Sequence, residues 1–318
     1  MSIPIPLILS AKEANRLVRE KGPGAVTFVD ASWHMPNSPR KAKGEFLERR
    51  IPGAQFFDLD EIASSHALGL KHMMPEGSKL ASALRPPGSL GIMPGTHVIF
   101  YDSVGVFSSP RALFTLRSFG HENSSILNGG IEGWKAEGFV IEDGSPQPSK
   151  QAEEYPAPIL HADVIQDYEQ IVANTRHDPK ADEDARVVLD ARSRGRYLGS
   201  EPEPRPSLSS GHIPHSLSVP FNTFLRSHAC PNSGLSYTTL LPREGIIAAL
   251  ETAVGKDTAK DILSGRRKVT MTCGSGMTAA VLWLGLKSVN PEIPVSIYDE
   301  SWTGYAMRPE SEIVMDAN

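Results

Sequence analysis

Several short phrases occur twice in this chain, and the two sets run in the same order. VTFVDAS at 26–32 returns as VVLDARS at 187–193, which pairs Asp30 with Asp190. RRIPGAQFFD at 49–58 returns as GHIPHSLSVP at 211–220, which pairs Pro52 with Pro214. HVIFYD at 97–102 returns as KVTMTC at 268–273, and ILNGGIEGW at 126–134 as IYDESWTGY at 297–305. The separation between partners widens slowly along the chain. That is the mark of one unit duplicated and then lengthened by small insertions. Each half must therefore reach the same architecture with its own set of strands.

Within each half, short β-branched runs alternate with helical patterns. The first half offers VTFVD and VIFYD, a helix around RALFTLRSFG, then SSILN. The second offers RVVLD, a helix around PREGIIAALETAV, KVTMT, the helix AAVLWLGLKSV, then PVSIYD. Apolar strands with helices between them predict an α/β fold: two tandem domains, each a mostly parallel sheet with helices on both faces. The segment IEDGSPQPSKQAEEYPAP is rich in proline and has no apolar period, so it reads as a linker. The expected division is 1–142, a linker at 143–158, and 159–318. A chain of 318 residues has room for two cores of this kind.

Composition excludes several classes. Hydrophobic residues at 40% and charged residues at 22% describe a globular chain, and a net charge of -5 gives no general pull toward nucleic acid or anionic lipid. No apolar run approaches the roughly 20 residues that span a bilayer. The opening MSIPIPLILSAKEANRLVREKG has an apolar patch, but Lys12, Glu13, Arg16 and Glu20 follow it. It reads as a first strand and helix in preference to a secretory or transit segment. Two cysteines, Cys230 and Cys273, make no disulfide framework, so the expectation is a reducing compartment: cytoplasmic, with mitochondria as a second location.

Cys273 stands where KVTMT ends and AAVLWLGLKSV begins, within CGSGMT. Open parallel sheets bind ligands at such strand-to-helix turns. A loop wrapping the start of a helix turns successive N–H groups inward, and the helix dipole adds to them. Both favour an anion, which predicts a thiol lowered from about 8.5 into the range of about 3.5–7.5. Gly274 and Gly276 let the backbone curl without a Cβ in the way. A buried structural cysteine is the plain alternative, but it has no need of such a loop. Cysteine phosphatases also cradle an anion around a cysteine, and they close the loop with an arginine where this chain has Ala279. Without that guanidinium a phosphate lacks its bidentate partner.

Taken together, VDASW, IPGAQFFD, YDSVGVFSSPRAL, FGHENSSILNGG, LDARSRGRYLGSEPEPR, GHIP and CGSGMTA resemble the tandem-domain rhodanese family, the thiosulfate and 3-mercaptopyruvate sulfurtransferases. The resemblance runs over nearly the whole chain. It implies a catalytic second domain and an inactive first one, in keeping with Asp102 and the cysteine-free loop SVGVFSSP at the matching joint. The loop CGSG is similar to that of members preferring mercaptopyruvate; thiosulfate-preferring members carry basic residues there. Met277 replaces a more usual valine, and with Gly274, Gly276 and Thr278 it would shape the substrate pocket. By the same resemblance, Arg196 in GRYLG and Arg205 in EPEPR would hold the donor carboxylate, a fit of guanidinium fork to carboxylate. Asp60 in FFDLD and His72 in KHMMP would complete a relay with Ser275. Asp30, Asp190 and Arg192 read as structural charge partners, Arg194 as a surface residue and Cys230 as a loop cysteine.

The expected activity is a two-step transfer in which Cys273 takes sulfur from 3-mercaptopyruvate and passes it to cyanide, a thiol, thioredoxin or another protein cysteine. Three rivals stay open: thiosulfate as the main donor, a carrier handing persulfide to a sulfur-relay partner for tRNA thiolation, and a Cys–His hydrolase. No metal or other cofactor is implied, because no His/Cys cluster has ligand spacing. The expected partners are small donors and acceptors, with no nucleic acid and no membrane.

Overall fold

The computed structural model describes residues 5–22, 24–85, 90–147, 155–230 and 236–316. Its strands are β1 (Ile8–Leu9), β2 (Val26–Asp30), β3 (Gln55–Phe56), β4 (His97–Tyr101), β5 (Ser124–Leu127), β6 (Ile165–Gln166), β7 (Val187–Asp190), β8 (Leu217–Ser218), β9 (Leu225–Ala229), β10 (Ser236–Leu240), β11 (Val269–Thr272) and β12 (Val295–Tyr298). Ten of them make two five-stranded sheets, in the orders β1-β5-β4-β2-β3 and β6-β12-β11-β7-β8. The second order is the first one repeated, strand for strand. Every pairing in both sheets is parallel. The duplication seen in the sequence is thus a duplication of topology.

Registers repeat as well. In the first sheet Asp30 of β2 sits opposite Tyr101 of β4; in the second, Asp190 of β7 sits opposite Thr272 of β11. One residue further, Ala31 N donates to Tyr101 O and Ala191 N to Thr272 O, both at 2.8 Å. The carboxylate of Asp30 accepts from Ser32 N at 2.8 Å, and that of Asp190 from Arg192 N at 2.9 Å. A duplicated aspartate therefore ends each of these strands with the same turn. Burial pushes the Asp30 carboxyl up to about 7. Asp190 is instead held by the Arg192 guanidinium, which also donates to Glu203 and lies over the Trp302 ring at 4.1 Å. The expectation of structural charge partners holds there by direct contact.

β4, β7, β11 and β12 are buried along their whole length, as expected for sheets covered on both faces. Helices flank both sheets. The helix Ala279–Val289 is apolar nearly all round and almost wholly buried, so its position is set by packing and not by a narrow stripe. The helix Ala11–Lys21 opens with a capping box between Ser10 and Glu13, and it follows β1 as the sequence suggested. No helix among the described residues is long and apolar enough to cross a membrane.

The chain forms two compact units that are not contiguous in sequence. One comprises Met1–Ser64, Met74–His161 and Arg226–Leu240; the other comprises Ser65–Met73, Ala162–Leu225 and Leu241–Asn318. A single cut at 143–158 does not describe this division, and residues 148–154 of that segment lie outside the described residues. In each unit the transferred segment attaches near the turn after the central strand. In the first unit, the β9–β10 hairpin reaches the turn after β4: Thr238 N donates to Val104 O, and Val106 N to Thr238 Oγ1, both at 3.0 Å. In the second, Leu68–Lys71 lines a cavity that also borders the turn after β11.

Candidate active site

β11 is the central strand of the second unit's sheet, and Cys273 follows its last residue. The side chain is buried, at 2% exposure. What orients the loop is the next strand's exit. Trp302 N donates to Cys273 O at 2.9 Å, and Thr303 N donates to Gly274 O at 3.0 Å, joined by Thr303 Oγ1 at 2.5 Å. Cys273 N is itself spent on Ser301 Oγ at 3.2 Å. In a trans peptide, N–H and C=O point in opposite directions. Tying down the carbonyls of Cys273 and Gly274 therefore turns the amides of Gly274 and Ser275 the other way. Gly276 continues the curl at φ +78°, a conformation that glycine adopts without strain. Among the described residues, the amides of Gly274, Ser275, Gly276 and Met277 donate to no protein acceptor. Four successive N–H groups without a protein acceptor thus precede the helix Ala279–Val289, an arrangement suited to an anion. Thr278 is the last residue before that helix, and Met277 packs inward, buried.

Two guanidinium groups close on the same loop. A Cβ at Gly274 would lie 3.3 Å from Arg196 Nη2 and 3.4 Å from Arg205 Nη1, so only a glycine there leaves both their full room. The two arginines are not equivalent. Arg196 is held by Glu203, with Nε to Oε1 at 3.0 Å and Nη2 to Oε2 at 2.5 Å. Arg205 has no carboxylate partner among the described residues, and it lines the cavity. Burial holds its pKa below the usual arginine value; the neighbouring Cys273 and Glu203 act against that, and Arg196 adds to the lowering. Glu203, two residues from Arg205 in EPEPR, was not anticipated from the sequence. It was legible only as one of several acids in a polar stretch.

The cavity holds about 240 Å³ and is lined by Leu68, Gly69, Leu70 and Lys71 on one side and by Arg205, Ser275, Glu300, Thr303 and Met307 on the other. Of the residues expected at a site, Ser275 and Arg205 are in its wall, and Cys273, Gly274 and Gly276 lie along the adjoining loop. His72 follows Lys71 on the same strap, is 2% exposed, and has φ +63°, a strained value for a side chain with a Cβ. Asp60 belongs to the first unit. It sits in the helix Leu59–Ile62 behind the Asp58 cap, and its carboxylate accepts from Trp33 Nε1 at 3.2 Å. There it borders a separate cavity of about 300 Å³ together with Trp33, His34 and Arg40. Glu300, Thr303, Met307 and Lys71 were missed by sequence reasoning. The only signal for Glu300 and Thr303 was their membership of IYDESWTGY, the repeated phrase; Met307 lies two residues beyond it. Cys230, half-buried in the first unit, has its thiol 3.9 Å from Glu132 Oε2.

The first unit carries the same turn in a different state. Asp102 occupies the Cys273 position of the repeat, and its carboxylate accepts from the amides of Val104, Gly105, Phe107, Ser108 and Ser109 and from Ser109 Oγ. Its loop amides are filled by a carboxylate of the chain itself.

Two parallel sheets of one topology, with an amide cradle around a buried cysteine on one of them, define a two-unit rhodanese-like protein. Comparison with known proteins agrees. The Rhodanese-like domain family matches residues 10–137. The chain is 36% identical to 3-mercaptopyruvate sulfurtransferase of Rattus norvegicus over 91% of its own length and 87% of that protein's. It is 35% identical to thiosulfate sulfurtransferase of Bos taurus over 92% and 88%. Among solved structures, Tum1 protein from Saccharomyces cerevisiae superposes with a TM-score of 0.81 at 26% identity, covering 100% of both chains. The chain belongs to the rhodanese-like sulfurtransferase family.

Proposed function

We propose that the protein moves sulfane sulfur from 3-mercaptopyruvate to a thiol or cyanide acceptor by way of a persulfide on Cys273. The observation that carries this reading is the pairing of the open amides of Gly274–Met277 with the uncommitted Arg205 guanidinium beside the same loop. The first suits a sulfur anion on Cys273; the second suits a carboxylate on the donor.

The steps follow from that placement. The Cys273 thiolate attacks the sulfur of the donor thiol. An S–S bond forms, the C–S bond breaks, and its electron pair leaves on the enolate of pyruvate. The hydrogen of the donor thiol ends on the enolate carbon, with Ser275 and His72 as the groups that pass it. The persulfide anion that remains is held by the loop amides. An acceptor thiolate or cyanide then bonds to the outer sulfur, and the S–S bond electrons return to Cys273. Arg205 holds the donor carboxylate, while Arg196, braced by Glu203, supplies a second positive group at Gly274.

Intact mass tests the chemistry. After mixing with 3-mercaptopyruvate the protein should gain one sulfur atom, located on the peptide containing Cys273. An acyl adduct, or no adduct, would rule out sulfur transfer. Arg205→Ala tests the pocket: losing a charge-assisted contact worth about 1.5–3 kcal/mol should raise KM for the donor by about 10- to 100-fold, with a smaller change in kcat. Steady-state pyruvate release measures both constants, and an unchanged KM would remove Arg205 from the donor site.

A further inference from the structure

We propose that Glu300 is a specificity-determining residue of the donor pocket, tuning it for a donor with one anionic group and against a donor with two. The inference rests on reading the cavity of the second unit as the donor site. Arg205 and Lys71 bring positive charge to the wall of that cavity, and Glu300 is the one carboxylate among its lining residues.

Glu300 is fixed in place. It is 8% exposed, and Arg308 donates to both of its oxygens, Nη1 to Oε2 at 2.5 Å and Nη2 to Oε1 at 3.2 Å. Glu300 is among the residues lining the cavity, whereas Arg308, its counter-ion, is not. On the strap, His66 Nδ1 accepts from Leu68 N at 3.2 Å, which leaves Nε2 to face Glu300 Oε1 at 3.7 Å. The carboxylate also fills room that a side chain at position 304 would need. A Cβ on Gly304 would lie 2.3 Å from Glu300 Oε2 and 3.0 Å from Leu70 Cδ1. With Arg308 behind it and the bare Gly304 backbone beneath it, the group has nowhere to swing away from an incoming anion.

The consequence is a matter of charge. A carboxylate facing the cavity opposes a dianion about twice as strongly as a monoanion. Arg205 supplies one guanidinium fork, enough for one carboxylate. A thiol-bearing 2-oxo acid brings a single carboxylate and a neutral thiol, whereas thiosulfate brings two negative charges to the same space. Glu300 thus acts in the ground state and the transition state alike, as a filter on donor charge.

The test is the ratio of kcat/KM for thiosulfate to kcat/KM for 3-mercaptopyruvate, taken on the same preparation so that any loss of folded protein cancels. Glu300→Gln should raise that ratio by about three- to tenfold. Lys71→Glu, on the exposed side of the strap, should lower it by a similar factor. Arg205→Ala should depress both donors. If Arg205→Ala weakens both while Glu300→Gln and Lys71→Glu leave the ratio where it was, the filter is refuted and the pocket stands. If Arg205→Ala spares both donors, the pocket reading falls and the filter falls with it.

Discussion

Replacing Cys273 with serine should lower the rate of sulfur transfer by about 10⁴-fold or more while leaving the fold intact. The side chain is buried and serine is the smaller residue, so the substitution introduces no clash. The main-chain bonds that shape the loop run through the carbonyls of Cys273 and Gly274 and through Cys273 N, none of which involves the sulfur. A hydroxyl, however, cannot carry the outer sulfur as a persulfide, and at neutral pH it is a far weaker nucleophile than a thiolate. Pyruvate release in a single turnover, with far-UV circular dichroism as the check on folding, measures both parts. Activity within tenfold of the parent would show that the sulfur rests elsewhere, and the reading of the whole site would go with it.

What could be read from the sequence depended on length and repetition. The long β-branched runs became β2, β4, β7, β11 and β12, and the longer apolar helices formed where their pattern placed them. The repeated phrases then told which strands correspond, and the two sheet orders agree with every such pair. β1, β3, β6 and β8 are two residues each, too short to carry any period, so only their partners in the sheet define them. The β9–β10 hairpin was invisible for another reason: LRSHA and SYTTL are polar, and their bonds go to the turn after β4, far away in sequence. The exchange of Ser65–Met73 and Arg226–Leu240 between units is a fact of tertiary contact with no local signature. At the site, Cys273 and its glycines announced themselves because a backbone cradle needs particular residues in a row. Glu300 did not, since a single acid gives no hint that an arginine eight residues on will pin it to a cavity wall.

Asp102→Ala should be the most damaging single change in the first unit, costing about 4 kcal/mol or more of stability. Five amides and one hydroxyl converge on that carboxylate at 2.7–3.0 Å, in a turn where Asp102 is fully buried. A methyl group accepts none of these bonds. Each buried donor left without an acceptor costs about 1–3 kcal/mol, and relaxation of the loop recovers only part of the sum. Refolding the turn is further opposed by Thr238 of the hairpin, which is bonded to Val104 and Val106 on the turn's outer side. Asp102→Asn separates charge from shape. It retains one acceptor oxygen but presents an NH₂ to amides that are themselves donors, so it should fall between the parent and Ala. The urea midpoint, read with an unchanged slope, measures the order, and an Ala variant within about 1 kcal/mol of the parent would show that the cage is not what holds the turn. The same turn on the second sheet has a single sulfur where the first has a carboxylate, and four of its amides have no acceptor among the described residues. Filling these amides with Asp102 holds the first turn closed; the open amides beside Cys273 are what the proposed sulfur transfer would use.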